Sequence, residues 1–214
     1  MAIVRPNHDA LTAAKALPGF EAIKRFWDRD SEKFAAKISP GEFYVTNNDE
    51  LITTVLGSCI SACIRDPIFG IGGMNHFMLP ISADGGWGGE AIGHATRYGN
   101  FAMEHLINEI LKNGGSRQYL EVKIFGGGRV LANMTNVGQR NIDFVKEYIR
   151  VEGLKLLAED VGDVFPRKVQ YLPLSGRVRV KKLRATFNRT VAAREQDYLR
   201  NIDAQPATGE IDLF

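Results

Sequence analysis

Two side chains capable of covalent chemistry lie close together in this sequence, Cys59 and His76. Cys59 directly follows Gly57-Ser58, a tight-turn signal, and His76 interrupts the next apolar run. A cysteine attacks only as its thiolate, and a neighbouring imidazole can accept the proton. Backbone N–H groups freed by a turn at Gly57 and Ser58 could hold an oxyanion beside the thiol. The pattern therefore predicts the centre of a covalent hydrolase, with Cys59 as nucleophile and His76 as base.

Simpler interpretations of the same residues exist. An unpaired cysteine is most often a buried structural residue, and a single histidine in an apolar strand is most often a core residue. Cys63 fits the structural interpretation, because it lacks a turn and lies between apolar neighbours. The Cys-x-x-x-Cys spacing of Cys59 and Cys63 is a weak metal signal, since no further cysteine or paired histidine completes a site. We expect no metal and no cofactor.

A third group should orient the imidazole of His76. The local candidates are polar residues on the same or neighbouring segments: Thr53, Thr54, Ser58, Asn75 and Asp66. Their spacing does not choose among them.

The composition describes an ordinary globular chain of 214 residues, 44% hydrophobic and 24% charged. The net charge of +2 gives no strong attraction to nucleic acid or to a membrane surface. No apolar run is long enough to insert in a membrane, and residues 1–20 lack the apolar core of a secretory signal. With two cysteines and no export signal, we expect a reducing cytoplasm.

Hydrophobic periodicity divides the chain into three parts. Residues 1–38 are an extension in which Phe20, Ile23, Trp27 and Phe34 suggest either a packed helix or a loose, anchored segment. Residues 39–184 form the body, and residues 185–214 form a polar tail that is helical from about 189 to 200. The body shows strands at 43–46, 51–56, 59–65, 71–79, 120–125, 154–159, 168–172 and 177–182, and helices at 96–113 and 138–152. The fold class predicted is α/β (α+β), a layered sandwich of mixed β-sheet with packed helices.

Three further features have a simple and a functional interpretation. Residues 82–93 are glycine-rich, and we expect a mobile loop bordering the site, with Trp87 at its tip. Gly126-Gly127-Gly128 fits a tight turn better than an anion-binding loop. A basic cluster lies around the last hairpin, either a solvated face or a surface for an acidic partner; it comprises Lys168, Arg177, Arg179, Lys181, Lys182 and Arg184.

The run from Thr53 to Pro80, TTVLGSCISACIRDPIFGIGGMNHFMLP, closely resembles the chemoreceptor glutamine deamidases, the CheD family of bacterial chemotaxis. The resemblance continues through KIFGGG at 123–128, NVGQRN at 136–141 and LLAEDVG at 156–162, and covers about residues 41–182. The pairing of Gly-Ser-Cys with Gly-Met-x-His makes the signal specific.

The resemblance implies a catalytic set of Cys59, His76 and Thr53, the last matching the family threonine six residues before the cysteine. It also implies a layered sandwich similar to the deamidase domain of the cytotoxic necrotizing factor toxins. The implied substrates are glutamines on the cytoplasmic helices of chemoreceptors, reached through a shallow opening. A CheC-type phosphatase is an implied partner, so the chain could act chiefly as a binding module for it or for the receptor. A thiol redox or transferase enzyme remains a second alternative.

Overall fold

The computed structural model describes residues 14–80, 89–130, 136–183 and 188–204. In these ranges the strands are β1 (Lys24–Asp28), β2 (Lys33–Lys37), β3 (Phe43–Thr46), β4 (Leu51–Leu56), β5 (Ile60–Asp66), β6 (Ile71–Asn75), β7 (Glu121–Gly126), β8 (Lys155–Val161), β9 (Arg167–Leu172) and β10 (Arg177–Lys182). The α-helices are α1 (Gly89–Lys112), α2 (Val137–Val151) and α3 (Asn188–Ala204), and a 3₁₀ turn covers Arg117–Tyr119. None of the described helices is both long and apolar enough to cross a membrane.

The strands form two five-stranded mixed sheets, in the orders β1-β2-β4-β9-β10 and β3-β6-β5-β7-β8. Helices α1 and α2 pack on the second sheet, where the Leu106 side chain of α1 reaches the backbone of Gly73 in β6. Every residue of β5 except Arg65 is buried, because one face meets the helices and the other meets the first sheet. One apolar core contains side chains from both sheets and all three helices, which confirms the predicted layered α+β architecture.

The extension differs from the helical interpretation of the sequence. Residues 24–37 form an antiparallel hairpin, β1 and β2, whose second strand pairs in parallel with β4. Trp27 lies opposite Phe34 across the hairpin, with ring centroids 5.2 Å apart. The seven-residue separation of these aromatics, which resembles two helical turns, arises from a cross-strand pair. The division of the chain into extension, body and tail stays a prediction.

Helix α1 begins at Gly89, seven residues before its predicted start. The last residues of the glycine-rich segment therefore form the start of α1, because packing of the helix outweighs the modest free-energy cost of glycine in a helix. The expected mobile loop and Trp87 lie largely at 81–88, outside the described residues.

Candidate active site

The segment that carries Cys59 crosses between the two sheets. β4 ends at Leu56 in the first sheet and β5 starts at Ile60 in the second, so Gly57-Ser58-Cys59 forms the crossover. The carbonyl groups of Gly57 and Cys59 accept hydrogen bonds from the glycine run that follows β7. Gly128 N donates to Gly57 O and Gly127 N donates to Cys59 O, each at 2.7 Å. The crossover therefore has a fixed shape.

The glycine run at 126–128 acts as the predicted tight turn. Gly126 has φ +115°, and a Cβ there would lie 2.2 Å from Cys59 O. Only glycine permits both that conformation and that approach. The buried Arg167 guanidinium supports the turn by donating to Gly126 O and Gly162 O, each at 2.6 Å.

Asn141 of α2 joins the two segments that carry the reactive side chains. Its Nδ2 donates to Ser58 O at 2.8 Å, and its Oδ1 accepts from Leu79 N at 2.9 Å. This fully buried amide fixes the distance between the Cys59 crossover and the segment that follows His76.

His76 directly follows β6 and is buried. Its main chain pairs with residues 41 and 42, through Gly41 N to His76 O at 2.7 Å and His76 N to Glu42 O at 2.9 Å. The ring Nδ1 lies 2.8 Å from Thr54 Oγ1. Among the residues that the structure describes, Nε2 has no hydrogen-bond partner.

The contacts of Thr54 determine which imidazole nitrogen carries the proton. Thr54 Oγ1 also lies 2.8 Å from Ile38 O, which can only accept a hydrogen bond. A hydroxyl has one hydrogen, so Thr54 donates to Ile38 O and accepts from Nδ1–H of His76. Nε2 is therefore the bare nitrogen, free to act as a base.

Thr53 occupies a different position from the one its match to the family threonine suggested. Its hydroxyl donates to Val169 O in β9 at 3.1 Å, and in the described part of the chain it is Thr54 that bonds to the His76 ring. The other local candidates also bond elsewhere. Asn75 bonds to Ala62 N and Ala102 O, and Asp66 closes its own turn.

Glu195 of α3 completes the cluster, and sequence reasoning did not identify it. Cys59 Sγ, one imidazole nitrogen of His76 and one carboxylate oxygen of Glu195 lie within 4.8 Å of one another, and all three residues are buried. Glu195 Oε1 accepts from Gly57 N at 2.8 Å and from Cys59 N at 3.1 Å. Its Oε2 accepts from Ser58 N at 2.9 Å and from the Ser58 hydroxyl.

The N–H groups of Gly57 and Cys59 thus converge on one carboxylate oxygen, as an oxyanion hole requires, and the N–H group of Ser58 holds the other oxygen. Cys59 has no exposed surface, so the site is closed and differs from the shallow opening implied by the resemblance. The available signal for Glu195 was the spacing of Val191, Glu195 and Leu199, which places all three on one face of the predicted tail helix.

Burial sets the charge state of the closed site. It raises the pKa of the Cys59 thiol well above its usual value, and the neighbouring Glu195 carboxylate raises that pKa further. Burial lowers the pKa of His76 to about 3, so its imidazole is neutral at physiological pH. The closed site therefore favours a neutral thiol beside a neutral base, a resting state rather than a thiolate–imidazolium pair.

Cys59, His76 and Glu195 are also potential metal ligands. The Glu195 oxygens already accept four hydrogen bonds from 57–59, and such bonds account for a buried carboxylate without a cation.

A cleft of about 610 Å³ runs beside the site, between α3 and residues of β1, β2, β4 and β9 in the first sheet. Thr54, His76 and Glu195 line its inner end, and three cations, Lys37, Lys168 and Arg194, lie along it.

Known proteins resemble the chain over most of its length. The family model described as CheD chemotactic sensory transduction matches residues 78–182. A "Probable chemoreceptor glutamine deamidase CheD" of Halorhodospira halophila is 58% identical over 208 residues, 95% of each chain. A protein with the same description from Hahella chejuensis is 53% identical over 199 residues, covering 93% of this chain and 94% of its own.

Among solved structures, the hypothetical protein YfiH of Bacillus licheniformis matches 56% of this chain and 50% of its own, with 11% identity and a TM-score of 0.33. That likeness is too weak to support an argument. The match to the curated Halorhodospira halophila protein covers 95% of the chain and so spans the Cys59 crossover, the His76 segment and most of the tail. The chain belongs to the CheD family.

Proposed function

We propose that this protein is a glutamine deamidase that converts glutamine side chains of chemoreceptor helices to glutamate. One observation carries the proposal: Cys59 Sγ and His76 lie beside three converging N–H groups that already hold a carboxylate. A carboxylate on a two-carbon side chain is the product of glutamine deamidation. The names of the curated relatives support the same reaction and the chemoreceptor as substrate.

The reaction needs the side chains already described and water. His76 Nε2 accepts the Cys59 proton, and Sγ bonds to the glutamine Cδ, moving one electron pair onto the amide oxygen. The N–H groups of 57–59 stabilise that oxyanion. When the intermediate collapses, the C–N bond breaks and ammonia leaves with the proton held by His76.

Hydrolysis of the thioester completes the cycle. His76 accepts a proton from water, the hydroxide oxygen bonds to Cδ, and the C–S bond breaks as the proton returns to sulfur. The products are a glutamate side chain and ammonia, which balances one amide and one water.

The orienting threonine has two candidates. The resemblance implies Thr53, whereas the hydrogen bond from Nδ1–H supports Thr54, which also sets the tautomer. We propose that Thr54 orients the ring and that Thr53 positions β4 against β9 beside it.

Lys37 and Lys168 of the first sheet, which line the cleft, support docking of an acidic helix face, and the exposed arginines of β10 extend that positive surface. Cys59 and Cys63 are both free thiols, which is consistent with a reducing cytoplasm, where we place the protein. A CheC-type phosphatase is the second partner that we propose, on the resemblance alone.

The test incubates the protein with a cytoplasmic receptor fragment. We expect ammonia release together with the mass increase of amide-to-acid conversion at particular glutamines, and neither with Cys59→Ala. Receptor or phosphatase binding without either signal would favour a binding module, and thiol–disulfide exchange without ammonia would favour a redox enzyme.

A further inference from the structure

Helix α3 is amphipathic, but the centre of its buried face is a charged residue. Val191, Leu199 and Ile202 are each 6% exposed, and Glu195 between them is 1% exposed. These positions recur at helical spacing on one face, whereas Arg194, Gln196 and Arg200 are exposed. A carboxylate on such a face is costly to bury unless the surface beneath it supplies donors for hydrogen bonds.

The surface beneath Glu195 supplies them from the backbone of the reactive crossover. The three N–H groups of 57–59 and the Ser58 hydroxyl bond to its two oxygens. A Cβ at Gly57 would lie 2.8 Å from Glu195 Oε2 and 2.9 Å from Val191 Cγ1. Helix α3 and the crossover are therefore in close contact, and a side chain at position 57 would force Glu195 or Val191 to shift.

These donors cannot serve two acceptors at once. During turnover the oxyanion would need the N–H groups that Glu195 occupies, and the substrate carbon would need to reach a Cys59 thiol that has no exposed surface. A glutamate side chain is also chemically the same group as the deamidated product. The closed structure is thus incompatible with catalysis and resembles an enzyme that retains its product.

Contacts outside the crossover also hold α3 on the body, one turn after Glu195. The Tyr198 hydroxyl bonds to the Tyr98 hydroxyl of α1, and the Tyr198 ring packs on Gly41, where a Cβ would lie 2.9 Å from its Cε2. These contacts and three apolar side chains make a modest interface, and most of the remaining face of α3 is exposed.

On the basis of the proposed function, we propose that α3 is a built-in product mimic: it covers the surface on which a substrate helix docks, and it must leave before a glutamine can enter. Glu195 marks the position of the reacting side chain. The partner that fits the vacated surface is an amphipathic helix with a glutamine at the position of Glu195 and apolar residues four positions before and after it.

The first experiment removes the mimic from the full-length protein. Glu195→Ala should raise the rate of Cys59 alkylation by iodoacetamide, and kcat/KM on the receptor fragment, by about tenfold or more, because the closed state loses its charge-assisted hydrogen bonds. Gln196→Ala, the next position on the exposed face of α3, is the matched control and should change neither. Cys63, buried in the core, should stay unmodified in both and is the internal control.

The second experiment replaces the mimic by a substrate. In Glu195→Gln the side chain is a glutamine held against Cys59, and we expect the protein to convert it back to glutamate, detected by peptide mass spectrometry. The double variant Glu195→Gln with Cys59→Ala should retain the glutamine. If the wild type deamidates the receptor fragment, retention of this glutamine with Cys59 intact would overturn the product mimic, since the side chain would then not be held where attack occurs.

The two proposals fail in different ways. If the wild type deamidates the fragment and Glu195→Ala changes neither alkylation nor kcat/KM, the mimic is overturned and the function stands. If Glu195→Ala exposes Cys59 but no variant deamidates a glutamine, the cover stands and the function fails. Activation of the wild type by EDTA alone would indicate a metal held by Cys59, His76 and Glu195, and would also overturn the mimic.

Discussion

At each end of β5 a buried carboxylate accepts hydrogen bonds from backbone N–H groups. One carboxylate belongs to the strand itself, and the other comes from a distant helix. At the end of the strand, Asp66 accepts from Ile68 N at 2.8 Å, Phe69 N at 3.0 Å and Ser116 N at 2.8 Å. At its start, Glu195 accepts from the N–H groups of 57, 58 and 59. Each carboxylate thus satisfies three backbone donors.

The two carboxylates differ in how far along the chain they lie from their donors. Two of the three donors to Asp66, Ile68 N and Phe69 N, belong to its own turn, so they are satisfied whenever the turn exists. Glu195 is 136 to 138 residues from its donors, on a separate helix that contributes no strand to either sheet. The same local chemistry therefore closes a permanent turn at one end of β5 and, in our proposal, a removable cover at the other.

The two cysteines of this region should differ most. Cys59→Ala should abolish deamidation, whereas Cys63→Ala should retain it and lose stability in the range of about 0.5–3 kcal/mol typical of point mutants. Ammonia release and thermal unfolding of both variants check this. Equal loss of activity in the two would contradict the assignment of Cys59 alone as nucleophile.

His76→Asn should reduce kcat by about 10²–10⁴-fold, because the general base is lost. Single-turnover rates on the receptor fragment measure this. A rate near that of the wild type would require another residue to accept the Cys59 proton.

Thr54→Val should reduce kcat by about tenfold, the kinetic equivalent of one hydrogen bond of about 1.4 kcal/mol, since Nδ1–H loses its acceptor. Thr54→Ser, which keeps the hydroxyl, should restore most of the rate. Thr53→Val is the matched control and should lose less. A larger loss in Thr53→Val than in Thr54→Val would return the orienting role to Thr53, as the resemblance implies.

Replacing Asp66 or Glu195 by alanine should affect stability and activity to different extents. Asp66→Ala should lower the free energy of unfolding by about 1–3 kcal/mol, because three donors lose their acceptor, and should leave kcat/KM nearly unchanged. Glu195→Ala should change stability less, because water can reach the crossover once α3 moves away. Denaturant unfolding of both variants decides, and a greater loss of stability in Glu195→Ala would make α3 an integral part of the fold.

The smallest effect, on receptor binding, is expected from changes in the basic cluster around the last hairpin. Reversing Arg177 and Arg179, both exposed on β10, to glutamate should weaken receptor binding at low salt more than at high salt, because charge steering is screened by ions. Turnover of a small amide should be unchanged. Binding that is the same for both proteins at every ionic strength would leave this surface a solvated face.

The sequence predicted most of the body because its strands and helices follow simple periodicities. Strands β3 and β4 lie at the predicted residues, and the glycine turn at 126–128 was recognised. The hairpin at 24–37 was missed because a Trp27–Phe34 cross-strand pair has the spacing of a helical face.

The site was predictable where its residues are neighbours in the chain, and less so where the fold brings distant residues together. Cys59 and His76 were found from adjacent segments. Glu195 and Asn141 reach the crossover from α3 and α2, and the spacing of neighbouring residues in the sequence does not predict contacts between such distant segments. The choice between Thr53 and Thr54 depends on the direction of each side chain, which the structure supplies.

The short link between β10 and α3 keeps Glu195 at a high local concentration near the crossover. Helix α3 is joined to β10 by a few residues, so Glu195 faces the crossover at an effective concentration of the order of millimolar. A free helix of equal intrinsic affinity at micromolar concentration would therefore occupy the surface about a thousandfold less often. Efficient turnover then requires a substrate that is itself locally concentrated, or one that contacts more of the surface than α3 does.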